Sequence, residues 1–278
     1  MEEKPILQIN NMSKQFGDGC DFCKGQPENL TRNFCPKCKT VYACRDINLE
    51  LYTGEILGIV GESGSGKSTL MQTLYFDQEV TSGQYLLGEY KKGQANLYEA
   101  NIYEKKKVRN FLLGMVYQNP IKGLRMHFSS ISNIAEKMIA AQHRNVAKMT
   151  ERGHTLLEKV DISVMRAKEA PKNFSGGMQQ RVQIAKALSN QPPILLLDEV
   201  TTGLDLSVQA DVLDLIKTIQ RDLQISMIIV SHDLAVIRML ADRTIVMHNG
   251  IIIERGLTDQ ILEDPQNAFT QQLVYSLI

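Results

Sequence analysis

Apolar positions along the chain alternate in some stretches and run continuously in others. Ile6-Leu7-Gln8-Ile9-Asn10 alternates and predicts a half-buried strand. A Gly- and Cys-rich segment over residues 17–40 breaks the pattern, strand character returns over residues 44–52, and Thr53-Gly54 reads as a turn. Residues 56–60 are a short apolar run of the kind that forms a strand buried on both faces, followed by a glycine loop and a helix from about Lys67. Residues 80–116 predict a small strand-and-turn region with one polar helix, and Met115-Val116-Tyr117 a strand end leading into Gln118. The chain then reads as helical over residues 119–170, with Pro120 and Gly123 marking the entry. Buried strands recur at residues 194–197 and 227–230, separated by a helix over 207–223. Residues 245–247 and 251–253 flank Asn249-Gly250, a hairpin signal, and residues 257–278 read as helix ends around Pro265. The alternation of strands and helices predicts an α/β architecture, without internal repeats.

Composition narrows the function. Lys plus Arg equals Asp plus Glu, at 31 each, so the basic stripe of a general nucleic-acid binder is missing and no nucleic-acid partner is expected. The densest basic run, Lys105-Lys106-Lys107-Val108-Arg109, reads as a solvated helix face. No stretch of about 18 uncharged apolar residues occurs. The start, Met1-Glu2-Glu3-Lys4-Pro5, has no apolar signal core. A soluble cytoplasmic chain is expected, peripheral to the inner face of a membrane if it serves transport, with the pore supplied by another chain.

Gly61-Glu62-Ser63-Gly64-Ser65-Gly66-Lys67-Ser68 fits the phosphate-loop pattern G-x-x-x-x-G-K-S, between an apolar strand and a helix. The glycines let backbone N–H groups close around phosphates, and the helix N-terminus adds a positive end. Lys67 is placed to reach the β- and γ-phosphates, Ser68 to ligate Mg²⁺, and Thr69 closes the loop. Residues 194–197 lead into Asp198-Glu199, at the strand end where open α/β sheets bind ligands. Asp198 is the candidate to organise Mg²⁺ and Glu199 to polarise the attacking water, although an acidic pair there also suits an ordinary helix N-terminus.

At residues 173–181, Asn-Phe-Ser-Gly-Gly-Met-Gln-Gln-Arg resembles the L-S-G-G-Q signature of ABC ATPases, standing just before the acidic strand. Gln118 resembles the family's Q-loop glutamine, a Mg²⁺ sensor; Gly203-Leu204-Asp205 the D-loop; His232 the switch histidine; and Phe16 the aromatic that stacks on adenine. The resemblance spans nearly the whole chain. It implies a P-loop NTPase fold, a RecA-like core with an antiparallel β subdomain plus an α-helical signature subdomain, all within one ABC ATPase domain over residues 1–278. The helical subdomain is expected over residues 119–176 and the second part of the core over 177–278. It further implies ATP and magnesium, and a head-to-tail pair of such domains, homodimeric or heterodimeric. Ser175, Gly176 and Gly177 of one chain then face the γ-phosphate bound by the other, with Asp205 crossing the seam and His232 holding the γ-phosphate. Three positions depart from the family: Phe174 and Met178 stand where leucine and glutamine are usual, and Val200 where proline is usual, which leaves the turn after the acids less rigid.

All five cysteines lie between residues 20 and 44. Cys20-x-x-Cys23 and Cys35-x-x-Cys38, with eleven residues between them, form two knuckles able to present four thiolates to one metal. Structural zinc is the first expectation, a four-cysteine iron centre the second and a redox dithiol the third. This insertion, over residues 17–44, is foreign to the general ABC pattern and follows Phe16 closely, on the adenine side. Cys44 reads as a buried strand residue.

Two groups within the family compete. The glycine loop and Asp264-Pro265-Gln266-Asn267-Ala268-Phe269-Thr270-Gln271-Gln272-Leu273 resemble the ATPases of dipeptide and oligopeptide importers, which dock on membrane permeases. Asn119-Pro120-Ile121-Lys122-Gly123-Leu124-Arg125, residues 132–138 and residues 203–210 resemble instead the ATPase subunits of the carbon–phosphorus lyase system of phosphonate breakdown. The second resemblance is favoured and implies docking on lyase core subunits.

Overall fold

A computed structural model describes residues 4–275; the polar start at Met1–Glu3 and the last three residues lie outside them. In chain order the strands and helices are β1 (Leu7–Phe16), β2 (Val41–Leu51), β3 (Ile56–Val60), α1 (Lys67–Leu74), β4 (Ser82–Leu87), α2 (Ile102–Phe111), β5 (Leu113–Val116), α3 (Pro120–Gly123), α4 (Ser130–Ala140), α5 (Val146–Lys159), α6 (Gly176–Ala187), β6 (Ile194–Asp198), α7 (Leu206–Leu223), β7 (Ser226–Val230), α8 (Leu234–Leu240), β8 (Arg243–His248), β9 (Ile251–Leu257), α9 (Thr258–Glu263) and α10 (Ala268–Tyr275). They fall into two units: Met1–Tyr52, Ile56–Ala100 and Val230–Ile278 in one, Thr53–Glu55 and Asn101–Ile229 in the other.

The first unit holds an antiparallel sheet in the order β2-β1-β4, with Phe16 opposite Val41 at its edge. It also holds β3 beside β8 in parallel and β8 beside β9 in antiparallel. Every residue of β3 is buried, which is why this strand is uniformly apolar rather than alternating. Asn249 and Gly250 both take positive φ (50° and 81°), the turn that matches strand twist in a tight hairpin.

In the second unit β5 pairs in parallel with β6, and β7 lies next to β6. β6 and β7 are buried throughout. The helices start where short polar side chains satisfy the first N–H groups: Asn101 for α2, Ser129 for α4, Asn145 for α5 and Ser175 for α6. α5 buries Met149, Gly153, Leu156 and Leu157, one stripe at helical spacing. On α2, Lys106 and Lys107 face solvent, while Val108 is buried.

Candidate functional site

The phosphate loop leaves the C-terminal end of β3 and closes on α1. Gly66 caps that helix at φ 107°, and a Cβ there would strike the carbonyl of Ala43, so a side chain is excluded. The Lys67 side chain is 4% exposed and its Nζ donates to the carbonyls of Gly61 (2.7 Å) and Glu62 (2.9 Å). These bonds fold the ammonium back across the loop. Ser65, buried in the loop, holds it to the β8–β9 hairpin by accepting from the Gly250 N–H (3.0 Å). His232 follows Ser231, whose N–H donates to the Ile59 carbonyl (3.2 Å), which sets the histidine segment against the end of β3. Phe16 ends β1 with 44% of its surface exposed, and Lys14 Nζ lies 4.8 Å from its ring centre.

The second unit carries the acids and the signature. Asp198 is buried at the end of β6. Glu199 takes the left-handed conformation (φ 46°), uncommon for a residue with a side chain and typical of sites where geometry is held by function. Its Oε2 accepts from Gln118 Nε2 (2.9 Å) and Thr202 Oγ1 (3.2 Å). Val200, the next residue, is buried. Ser175 caps α6 by accepting from the Met178 N–H, and Ser175 and Gly176 remain exposed while Gly177 is buried. Asp205 stands exposed at the start of α7.

Two residues missed in the sequence tie these pieces together. Gln183 Oε1 accepts from the Tyr117 N–H (2.7 Å) while its Nε2 donates to the Tyr117 carbonyl (3.0 Å) and to Gln180 Oε1 (2.7 Å). Gln180 Nε2 in turn donates to the Gln118 carbonyl (3.2 Å). Both side chains are buried, so α6, which begins with the signature, is fastened to the backbone that presents Gln118. The available signal was two glutamines three apart on an otherwise apolar helix face. The two unusual signature residues are also linked: Arg166, paired with Glu169 (2.8 Å), stacks over Phe174 (4.5 Å) and points Nη1 at the Met178 sulfur (3.4 Å).

The Cys20, Cys23, Cys35 and Cys38 sulfurs all lie within 4.8 Å of one another. The Sγ separations are 3.7 Å for Cys20–Cys23, 3.9 Å for Cys20–Cys35 and 3.6 Å for Cys23–Cys38. A tetrahedral ion with bonds of about 2.3 Å to sulfur sets its ligands about 3.8 Å apart, so the cluster already has the edge lengths of a metal-thiolate tetrahedron. The Tyr42 hydroxyl donates to Cys23 Sγ (3.3 Å) and lowers that thiol's pKa. A hydrogen bond with Thr40 Oγ1 (3.2 Å) takes Cys38 down to about 6, and burial raises Cys20 to about 11. Cys44 is buried on β2, apart from the four, with its pKa raised to about 12 by desolvation.

A strand, glycine loop and helix, an acidic strand end and an S-G-G helix start define an ATP hydrolase of the ABC class. Residues 44–202 match the ABC transporter family model, and the chain belongs to that family. It is 37% identical over 99% of its length, and 98% of the other chain's, to the putative phosphonates utilization ATP-binding protein PhnK of Escherichia coli K12. It is 36% identical to the oligopeptide transport ATP-binding protein OppF of Lactococcus lactis, over 85% of this chain and 72% of the other. Among solved structures, the ADP- and phosphate-bound dimer of the ATP-binding cassette MJ0796 superposes with a TM-score of 0.74 at 25% identity, covering 91% of this chain and 98% of that one. Among the described residues, no helix is long and apolar enough to cross a membrane.

Proposed function

We propose that this ATPase closes as a dimer around two Mg-ATP and drives a soluble phosphonate-breaking machine, docking on carbon–phosphorus lyase core subunits in the cytoplasm. The observation that carries this reading is the match to the phosphonates utilization protein across 98% of that protein's length. The segment Asn119 to Arg125, beside Gln118, supports it.

In this reading Gly61, Ser63, Gly64, Gly66 and Thr69 cradle the phosphates through backbone N–H groups, and Lys67 neutralises the β- and γ-phosphates. Ser68, Asp198 and Gln118 organise Mg²⁺. Glu199 takes the proton of the attacking water and His232 holds the γ-phosphate. Phe16 stacks on adenine. Ser175, Gly176 and Gly177 come from the second protomer, where the start of α6 offers N–H donors to charge developing on the γ-phosphate, and Asp205 spans the seam. Loss of the γ-phosphate removes the shared contacts, so opening follows hydrolysis. The four cysteines hold one structural zinc, whose closed sulfur set leaves no position for catalysis.

Affinity capture of the tagged chain from its own cell tests the partner. Recovery of lyase subunits is expected. Recovery of permease subunits without lyase subunits would overturn the reading in favour of a peptide importer, the alternative supported by the match to OppF.

A further inference from the structure

The cysteine cluster is built into the strand pair that ends in Phe16. Phe16 pairs with Val41 across β1 and β2. The residues on either side of Val41 each hold one sulfur of the cluster. Thr40 Oγ1 lies 3.2 Å from Cys38 Sγ, and the Tyr42 hydroxyl donates to Cys23 Sγ at 3.3 Å. The same Thr40 hydroxyl oxygen accepts from the Gly19 N–H (3.0 Å), and the Thr40 carbonyl accepts from the Cys35 N–H (2.9 Å). The chain leaving Phe16 is pressed onto this residue. Gly17 has φ 106°, and a Cβ there would sit 2.7 Å from Thr40 Oγ1. Thr40 itself is 1% exposed, and two of the four sulfurs belong to buried residues. One buried hydroxyl thus joins a cysteine sulfur, the loop that follows Phe16, and the strand opposite Phe16.

From this geometry we infer that a divalent metal bound by Cys20, Cys23, Cys35 and Cys38 sets the position of Phe16, and that Thr40 is the positioning residue through which it acts. Metal occupancy then governs how tightly the adenine ring is held and leaves the chemistry at the γ-phosphate alone. The physical basis is preorganisation. Four sulfurs closed on one ion pin Cys38 and Cys23, these pin Thr40 and Tyr42, and the exposed ring at the end of β1 is held ready for stacking. Without the ion nothing bonds the four sulfurs to one centre, and the strand end that carries Phe16 loses its anchor. The chain thereby couples zinc supply to its affinity for nucleotide. The inference rests on the readings of the cluster as a metal site and of Phe16 as the adenine platform.

The test uses the full chain, with zinc counted by elemental analysis, ATP affinity read by calorimetry, and KM and kcat read by phosphate release. Stripping zinc with a chelator should weaken ATP binding about tenfold, the scale of one lost base–aromatic stack, and leave kcat within about twofold. Zinc chloride should restore it. Thr40→Val, which keeps the volume and deletes the hydroxyl, should reproduce the loss in KM while retaining zinc, and Thr40→Ser should behave as the parent. Phe16→Ala should bind ATP weakly and no longer respond to stripping. Equal affinity with and without zinc, or an unchanged Thr40→Val, would overturn the inference and leave the metal site standing. A chain that takes up no zinc removes the metal reading and the inference with it. Unchanged affinity in Phe16→Ala removes the platform and the inference, and leaves the metal.

Discussion

Gln118 Nε2 donates to Glu199 Oε2 at 2.9 Å, joining the second residue after β5 to the first residue after β6 across 81 positions of sequence. The carboxylate proposed to activate water is therefore already oriented by the residue proposed to sense Mg²⁺. Through Gln180 and Gln183, that residue is also tied to the signature helix.

Glu199→Gln keeps the shape and the bond geometry but removes the base. Turnover should fall about 100-fold or more, the scale of general-base catalysis, while ATP still binds. Sedimentation of this variant with ATP should show an accumulated dimer. Normal phosphate release from it would refute the role.

Lys67→Ala removes the buried ammonium that bridges the Gly61 and Glu62 carbonyls. Nucleotide binding should become undetectable by calorimetry at millimolar ATP, because no other cation of the loop replaces the charge beside the β- and γ-phosphates. Circular dichroism should show the fold retained.

The cysteine cluster should carry about one zinc per chain. Cys35→Ser removes a buried ligand and should lower the melting temperature by several degrees, with a smaller effect on kcat at saturating ATP. A variant with full thermal stability and no metal would show that the cluster contributes nothing to the fold.

Lys137 gives a pH signature independent of nucleotide. Its side chain is buried on α4 with Nζ donating to the Leu113 carbonyl (2.5 Å), and burial, with Arg109 and Lys186 nearby, pushes its pKa down to about 7. The unfolded chain keeps that proton up to about pH 10, so between pH 7 and 10 the unfolded state binds more protons and stability rises with pH. Relative to Lys137→Met, the parent should gain about 1.4 kcal/mol per pH unit above 7 and show no such slope below it. Denaturant titrations of both proteins across pH 6 to 9.5 read this directly.

The residues that would perform chemistry were legible in the sequence because their geometry is local. A glycine loop between an apolar run and a helix and two acids at a strand end are set by neighbours a few positions away, so their spacing made residues 61–69, Asp198 and Glu199 candidates, while Ser175 to Gly177 became candidates through the resemblance to the ABC signature. The strand and helix boundaries were close for the same reason: the helix expected at 207–223 spans Leu206–Leu223. The two C-x-x-C knuckles were also readable. Their convergence to tetrahedral edge lengths was not, because it depends on where residues 23 and 35 meet in space.

Only the tertiary structure decided what holds these pieces. The pairing of Phe16 with Val41, the double grip of Gln183 on Tyr117, and the contact of Arg166 with both Phe174 and Met178 join positions that no local spacing brings together. A buried polar group must find a partner, but many partners are possible before folding, and packing selects one. In this way the sequence determined which residues are candidates to act on a phosphate, and the fold determined that a cysteine cluster would be anchored beside the aromatic residue at the end of β1.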